Sequence, residues 1–265
     1  MLARHPLPTE FIEWNAKWGA PYGRWSRWLA PIAAERRARL ASYAPRLAGM
    51  FAFQTNNSTR SFEYPWAFHE IAPSRGMSAV DIGGSLSGLQ FVLSSLGVDV
   101  VNVDPGEEAS GVGWPVDRST IARLNRAFRT DVTLISSTLP CSGVLSESID
   151  VVYSISTIEH IPIDEIPDLM KHVHRILKPG GRFVLTIDLF LDTVPFSTRE
   201  RNIYGTNINI SELVALSGMS LVRGDERELY GFDAFDVQHV MGELGHVSFG
   251  SYPACAQCLV LEKSE

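Results

Sequence analysis

The stretch AVDIGGSLSGLQF, residues 79–91, decides the fold. Its apolar run stops at Ile82, breaks at Gly83 and Gly84, and resumes as an apolar helical pattern, which predicts a strand, a tight turn and a helix in direct succession. Asp81 then stands at the strand tip, and the two glycines stand in the turn, where a missing Cβ lets backbone approach a ligand. Such a turn serves either a nucleotide-type ligand or the chain reversal alone. Its place after a strand and before a helix favours the ligand.

Outward from this stretch the same unit repeats. Apolar runs at 99–104, 131–136, 149–156 and 182–189 alternate with helical patterns at 117–128 and 166–177. Alternation of this kind implies βαβ units and a doubly wound, mostly parallel α/β sheet with right-handed crossovers. The second strand, DVVNVDP (99–105), ends on Asp104. That is roughly 20 residues past the glycines, the distance at which an acidic residue meets ribose hydroxyls in dinucleotide-binding folds. The alternative is that Asp104 caps a turn with Pro105.

Four segments, AVDIGGSLSG (79–88), VVNVDP (100–105), IDVVYSISTIEHI (149–161) and HRILKPGGRFVLT (174–186), carry a specific resemblance. Over about residues 77–190 the chain resembles the class I S-adenosylmethionine-dependent methyltransferases of the small-molecule branch, and LKPGGRFVLT is the most diagnostic stretch. A nicotinamide-dependent dehydrogenase would share the glycine turn and the acidic strand tip, but the PGG strand argues against it.

The resemblance implies a seven-stranded Rossmann-like methyltransferase fold, S-adenosylmethionine as cofactor, and methyl transfer to oxygen, nitrogen or carbon of a small-molecule acceptor. It places Asp81 and Gly83 near the methionine moiety and Asp104 on the ribose hydroxyls, with Gly84, Ser85 and Pro105 also at the cofactor. Ser137 or Thr138 falls near the adenine, and Ser154 and Ile155 line the methyl-donor pocket. The family's DxGxGxG becomes Asp81, Gly83, Ser85 and Ser87 here, and the commonly acidic adenine position is serine or threonine.

In-line attack on a sulfonium methyl depends on positioning and water exclusion. A hydroxyl nucleophile also needs a general base, for which His160 is the candidate. The alternative is that Glu159 and His160 hold the start of the next helix by hydrogen bonds. In TRSFEYPWAF (59–68), Arg60 is placed to pair with the methionine carboxylate, and Tyr64 and Trp66 either close over the donor or pack the core. Phe190, Asn202, Tyr204, Asn207, Tyr230, Phe232 and Phe235 are expected to flank the acceptor.

At 265 residues the chain has room for one large domain and an appendage. Residues 1–70 read as a helical cap, with periodicity clearest over Pro31–Leu47 and with Pro65 arguing against a long helix there. Residues 71–265 read as the cofactor-binding domain, with a lid-like insertion at about 225–253 and a helix at 211–218 capped by Ser211. A formal net charge of −7 argues against a nucleic-acid partner, and the arginines 24, 27, 36, 37 and 39 read as the solvated face of an amphipathic helix.

The absence of a long apolar run argues against a membrane partner, and with no secretory stretch a cytoplasmic location follows. Cys141, Cys255 and Cys258 give no disulfide framework, and Cys255 and Cys258, with no second CxxC to complete a zinc site, read as structural. Histidines 172 and 174 point apart on one helix, and Asp236, His239 and Glu243 sharing a helical face would permit a metal but serve equally as a solvated face, so no metal is expected. Two rivals from other classes remain at this point. One is a fold-alike acting as a non-catalytic partner; the other uses the cofactor for chemistry other than methylation.

Overall fold

The computed structural model describes residues 1–24, 41–106, 116–141 and 143–264. Arg27, Arg36, Arg37 and Arg39 lie outside the described residues, as does most of the Pro31–Leu47 pattern. A seven-stranded sheet has the order β3-β2-β1-β4-β5-β7-β6, and the chain divides into two compact units.

The unit Leu7–Ser137 holds helices α1 (Thr9–Trp18) and α2 (Arg60–Ile71), strand β1 (Ser78–Ile82), helix α3 (Gly88–Ser95), strand β2 (Asp99–Val103), helix α4 (Arg118–Phe128) and strand β3 (Thr133–Ile135). All three strands are parallel, with Asp81 beside Asn102 and Asn102 beside Leu134. Parallel strands covered by crossover helices are buried on both faces, which is why β1 reads as a nearly continuous apolar run. Helix α3 starts where Ser87 accepts the Leu89 N–H (3.3 Å), and α4 where the Asp117 carboxylate accepts the Thr120 N–H (2.9 Å).

Helix α2 runs straight through Pro65, contrary to the expectation of a break. A proline in a helix leaves the carbonyl four residues earlier without its N–H partner. Here that carbonyl belongs to Ser61, and the Asn15 side-chain amide of α1 donates to it at 2.7 Å. A side chain from a neighbouring helix thus replaces the missing backbone donor. Aromatic packing adds to the same seam, with Phe11 edge-on to Phe62 at 5.1 Å and Phe51 against Tyr64 at 5.0 Å.

The unit Met1–Pro6 with Thr138–Glu265 holds strand β4 (Ile149–Ile155), helix α5 (Ile166–Ile176), strand β5 (Leu177–Phe190), helix α6 (Ile210–Ser217), strand β6 (Ser220–Arg223), helices α7 (Val237–Gly242) and α8 (Leu244–Val247), and strand β7 (Ala254–Glu262). Strand β5 is parallel to β4, and β7 runs antiparallel between β5 and β6. The PGG segment lies inside β5, which begins at Leu177, and the register against β4 shifts there. Helix α6 is capped by Asn209, which accepts the Glu212 N–H at 3.1 Å, and not by Ser211. The helix begins one residue earlier than the sequence pattern suggests, so Ser211 falls inside its first turn and turns its hydroxyl to the Gly231 carbonyl (2.7 Å).

The 225–253 insertion is packed. Leu2, Leu189, Val240, Val247 and Cys255 form one buried cluster, with Tyr230 and Phe235 against it. Met1 and Ala3 pair with β7, where the Cys258 N–H donates to Met1 O (2.7 Å) and the Ala3 N–H to Ala256 O (2.8 Å). Asp236 and His239 have separate roles: Asp236 caps α7 by accepting the His239 N–H, and the His239 ring lies 3.3 Å from buried Glu228.

An odd spacing on a strand sends Cys255 and Cys258 to opposite faces, yet both are fully buried. Burial, with the Asp188 and Glu228 charges behind it, pushes the Cys255 thiol up to about 12. A thiol held up there carries almost no thiolate at pH 8, and the thiolate is the reactive form. Ellman's reagent on the native protein at pH 8 is expected to titrate Cys141 alone, and all of Cys141, Cys255 and Cys258 in guanidinium. A second fast-reacting thiol in the native protein would mean that β7 opens.

Candidate functional site

In α/β sheets ligands sit beyond the carboxyl ends of the strands, and the chemistry-bearing residues of each unit gather at those ends. In the Leu7–Ser137 unit the turn after β1 closes over the tip of β2. Asp104, 6% exposed, accepts the Ser85 N–H on Oδ2 (2.8 Å) and the Gly106 N–H on Oδ1 (2.7 Å). The turn-capping role expected as the alternative for Asp104 is therefore present. Each oxygen keeps capacity for a second donor, since an ionised carboxylate accepts about four hydrogen bonds.

The turn itself is held from beneath. Asn102 Nδ2 donates to Ser85 O (2.9 Å) and to Gln90 Oε1 (3.0 Å), and Gln90 Nε2 donates to Ser85 O (3.0 Å). Gly83 has φ 69° and Ser85 φ 42°. Ser85 stands where the resembling family keeps a glycine, and it adopts the left-handed backbone that glycine would supply. Its amide and carbonyl are both held, which offsets the cost of a non-glycine residue there. Gly84 is a steric requirement: a Cβ would lie 2.5 Å from Asp81 Cγ and 3.0 Å from Asn102 Oδ1. Asn102 and Gln90 were not singled out from sequence, although a fully buried amide inside an apolar strand or helix is the signal that finds them.

Helix α2 brings its first turn to the same place. Glu63, fully buried, is paired with Arg60 Nη1 and accepts from Thr59 Oγ1 at 2.6 Å. Tyr64 donates to Asn56 Oδ1 (2.8 Å) and is hydrogen-bonded to Ser87, at the start of α3. Burial pushes its phenol up to about 12. Tyr64 and Trp66 are 1% and 5% exposed, so both pack in the core. Pro105 and Ser137 are half-buried beside the tips of β2 and β3.

In the other unit, Ser154 is buried at the end of β4, Ile155 is half-buried and Thr138 is exposed. Beyond β4 the chain turns at Ser156, whose φ is 45°, into a short helical turn at Ile158–His160. His160 Nδ1 lies 2.5 Å from the Tyr204 carbonyl oxygen. Glu159 is buried and accepts the Asp188 N–H at 3.1 Å, so it fastens the end of β5. Asp188, fully buried, accepts the Tyr252 hydroxyl and the Ser156 hydroxyl (3.2 Å). Asp188, Ser156 and Tyr252 were missed in the sequence, where the one legible signal was a charge inside the apolar run of β5. Asn207, expected at the acceptor, braces backbone through Phe190 (2.6 and 2.9 Å) and Val194 (2.7 Å).

A methyltransferase-domain family model matches residues 32–211. The chain belongs to the methyltransferase-domain family. Solved structures with similar folds include the 1,6-didemethyltoxoflavin-N1-methyltransferase of Burkholderia thailandensis, which has bound 1,6-didemethyltoxoflavin and S-adenosylhomocysteine. It is 13% identical, covering 100% of this chain and 95% of its own, with a TM-score of 0.53. The geranyl diphosphate C-methyltransferase of Streptomyces coelicolor A3(2), in complex with Mg2+, geranyl-S-thiolodiphosphate and S-adenosyl-L-homocysteine, is 12% identical over 77% of this chain and 76% of its own, with a TM-score of 0.51. A SAM-dependent methyltransferase from Aquifex aeolicus is 13% identical over 75% and 89%, with a TM-score of 0.50. No curated protein matches the sequence.

Among the described residues no helix is long and apolar enough to cross a membrane, and no group of histidine, cysteine, aspartate and glutamate is placed to hold a metal ion.

Proposed function

We propose that this methyltransferase-family protein transfers a methyl group from S-adenosylmethionine to a small-molecule acceptor. The observation that carries the reading is the buried Asp104 carboxylate at the tip of β2, tied to the glycine turn through Ser85 and holding acceptor capacity on both oxygens. Two oxygens in one plane suit the two hydroxyls of a ribose. When bound, the cofactor supplies an electrophilic sulfonium methyl for in-line displacement.

The residues that receive it are Asp81, Gly83, Gly84 and Ser85 at the methionine end, with Arg60 toward the carboxylate, Asp104 and Pro105 at the ribose, and Ser137 or Thr138 at the adenine. Arg60 is held by Glu63 through Nη1 at the first turn of α2. Residues 1–70 act as the cap, and Ser154 and Ile155 line the donor pocket. His160 serves as general base. A carbonyl oxygen can only accept, so the bond to Tyr204 puts the proton on Nδ1 and leaves Nε2 as the basic nitrogen. The Burkholderia and Streptomyces proteins each hold a small molecule beside S-adenosylhomocysteine, in line with a small acceptor, and the net charge of −7 speaks against nucleic acid.

The test is calorimetric titration of the protein with S-adenosylmethionine and with S-adenosylhomocysteine, followed by a metabolite-pool screen with methyl-labelled cofactor. Saturable binding of both, with label passing to a small molecule, is expected. Failure to bind either would sink the proposal.

A further inference from the structure

Between β5 and α6, residues 191–209 contain no strand or helix, and so long an irregular segment must be braced by its own side chains. The brace nearest the site is Asn202. Its Oδ1 accepts the backbone N–H groups of Tyr204 (2.8 Å) and Gly205 (3.0 Å), its Nδ2 donates to Asp192 (2.9 Å), and its own N–H donates to the Gly205 carbonyl (2.9 Å). The turn is closed on itself and aims the Tyr204 carbonyl outward, at His160 Nδ1.

The turn also lies flush against the backbone of Glu159 and His160. A Cβ on Gly205 would overlap the Glu159 carbonyl oxygen, and would stand 2.9 Å from the carbonyl carbon and 3.6 Å from the His160 nitrogen. The Thr206 N–H donates to that same carbonyl at 3.3 Å. The obstacle is backbone and not the flexible end of a side chain, so nothing can swing away to admit a methyl group. Gly205 is buried, and its requirement here is close approach.

We infer that the 202–206 turn is a positioning element for His160, and that Gly205 is the residue that allows it to dock. In free neutral histidine the tautomer with the proton on Nε2 is the more populated. The Tyr204 carbonyl reverses that preference, because only a protonated Nδ1 can donate to it. The ring is thereby held in one orientation with Nε2 basic. Its value to methyl transfer rests on His160 acting as the base, whereas the positioning itself does not.

The two are separated by reading the tautomer directly. In 15N side-chain spectra of the neutral ring, with His160 assigned by comparison with His160→Gln, the native protein is expected to show a protonated Nδ1 and an unprotonated Nε2. Gly205→Ala is expected to lose that pattern, and Asn202→Ala, which inserts no bulk, gives the same loss should Gly205→Ala fail to fold. Gly245→Ala, whose Cβ meets nothing within 4 Å, keeps the native spectrum. With an acceptor from the screen, the two turn variants are expected to lower kcat by about 10–100-fold, part of what a general base supplies, with the KM for S-adenosylmethionine unchanged.

A native His160 protonated on Nε2, or native spectra from both turn variants, overturns the inference. A changed tautomer with an unchanged kcat supports the positioning role and removes His160 as the base.

Discussion

Alanine at Gly84 is expected to remove both about 1–3 kcal/mol of stability, the range for overpacking a filled interior, and the affinity for S-adenosylmethionine. The added Cβ would stand 2.5 Å from Asp81 Cγ and nearer still to Oδ2. Asp81 is 2% exposed in β1, so its carboxyl has little room to give way. Asn102 is held on the other side by Ser85 and Gln90. A shift of the turn relieves the clash, and it carries the Ser85 N–H away from Asp104. A thermal melt reads the first effect, at roughly 2–4 °C per kcal/mol for a chain of this size; calorimetric titration reads the second. Affinity retained within threefold would show that the turn does not meet the cofactor.

Asp104→Ala is expected to weaken S-adenosylmethionine binding by about 10²–10⁴-fold while the protein stays folded. Hydrogen bonds to a charged group contribute about 1.5–3 kcal/mol each, so two ribose hydroxyls account for about 3–6 kcal/mol, and each 1.4 kcal/mol is tenfold in affinity. The Ser85 and Gly106 N–H groups lose their acceptor as well. Asp104→Asn separates the contributions: it keeps one acceptor oxygen and nearly the same shape, and is expected to lose about ten- to a hundredfold. Equal affinity in Asp104→Ala and the native protein would place the ribose elsewhere.

What the sequence made legible was periodic. Buried parallel strands and amphipathic helices announce themselves by apolar spacing, so β1, β2, β4 and β5 and the helices between them could be read directly. The family match and the seven-stranded order agree with that reading. The misses share a different cause. Pro65 inside α2 is tolerated because of Asn15, 50 positions earlier in number but adjacent in space to Ser61. No local pattern encodes such a donor. Asn209 as the cap of α6, two residues before Ser211, turns on the helix boundary, the least certain feature of any helix pattern.

Asp188, Tyr252 and Ser156 meet only because β4, β5 and the residues before β7 converge, and a charge within an apolar run was the sole trace. Ser85 is the converse case. The missing glycine looked like a departure, but the buried amides of Asn102 and Gln90 hold serine in the conformation that glycine would adopt.

The Asn15 amide on the Ser61 carbonyl carries a thermodynamic corollary. Because Pro65 offers no N–H, the opening turn of α2 is complete only while α1 is docked, and that turn contains Arg60 and Glu63. A ligand that binds Arg60 more tightly when this turn is complete favours the docked state of α1, and linkage is reciprocal: docking of α1 then raises the affinity for that ligand by the same factor. Residues 9–18, which hold no group assigned to the ligand, become part of its binding equilibrium. Loosening α1 at Asn15 would then register as a change in dissociation constant.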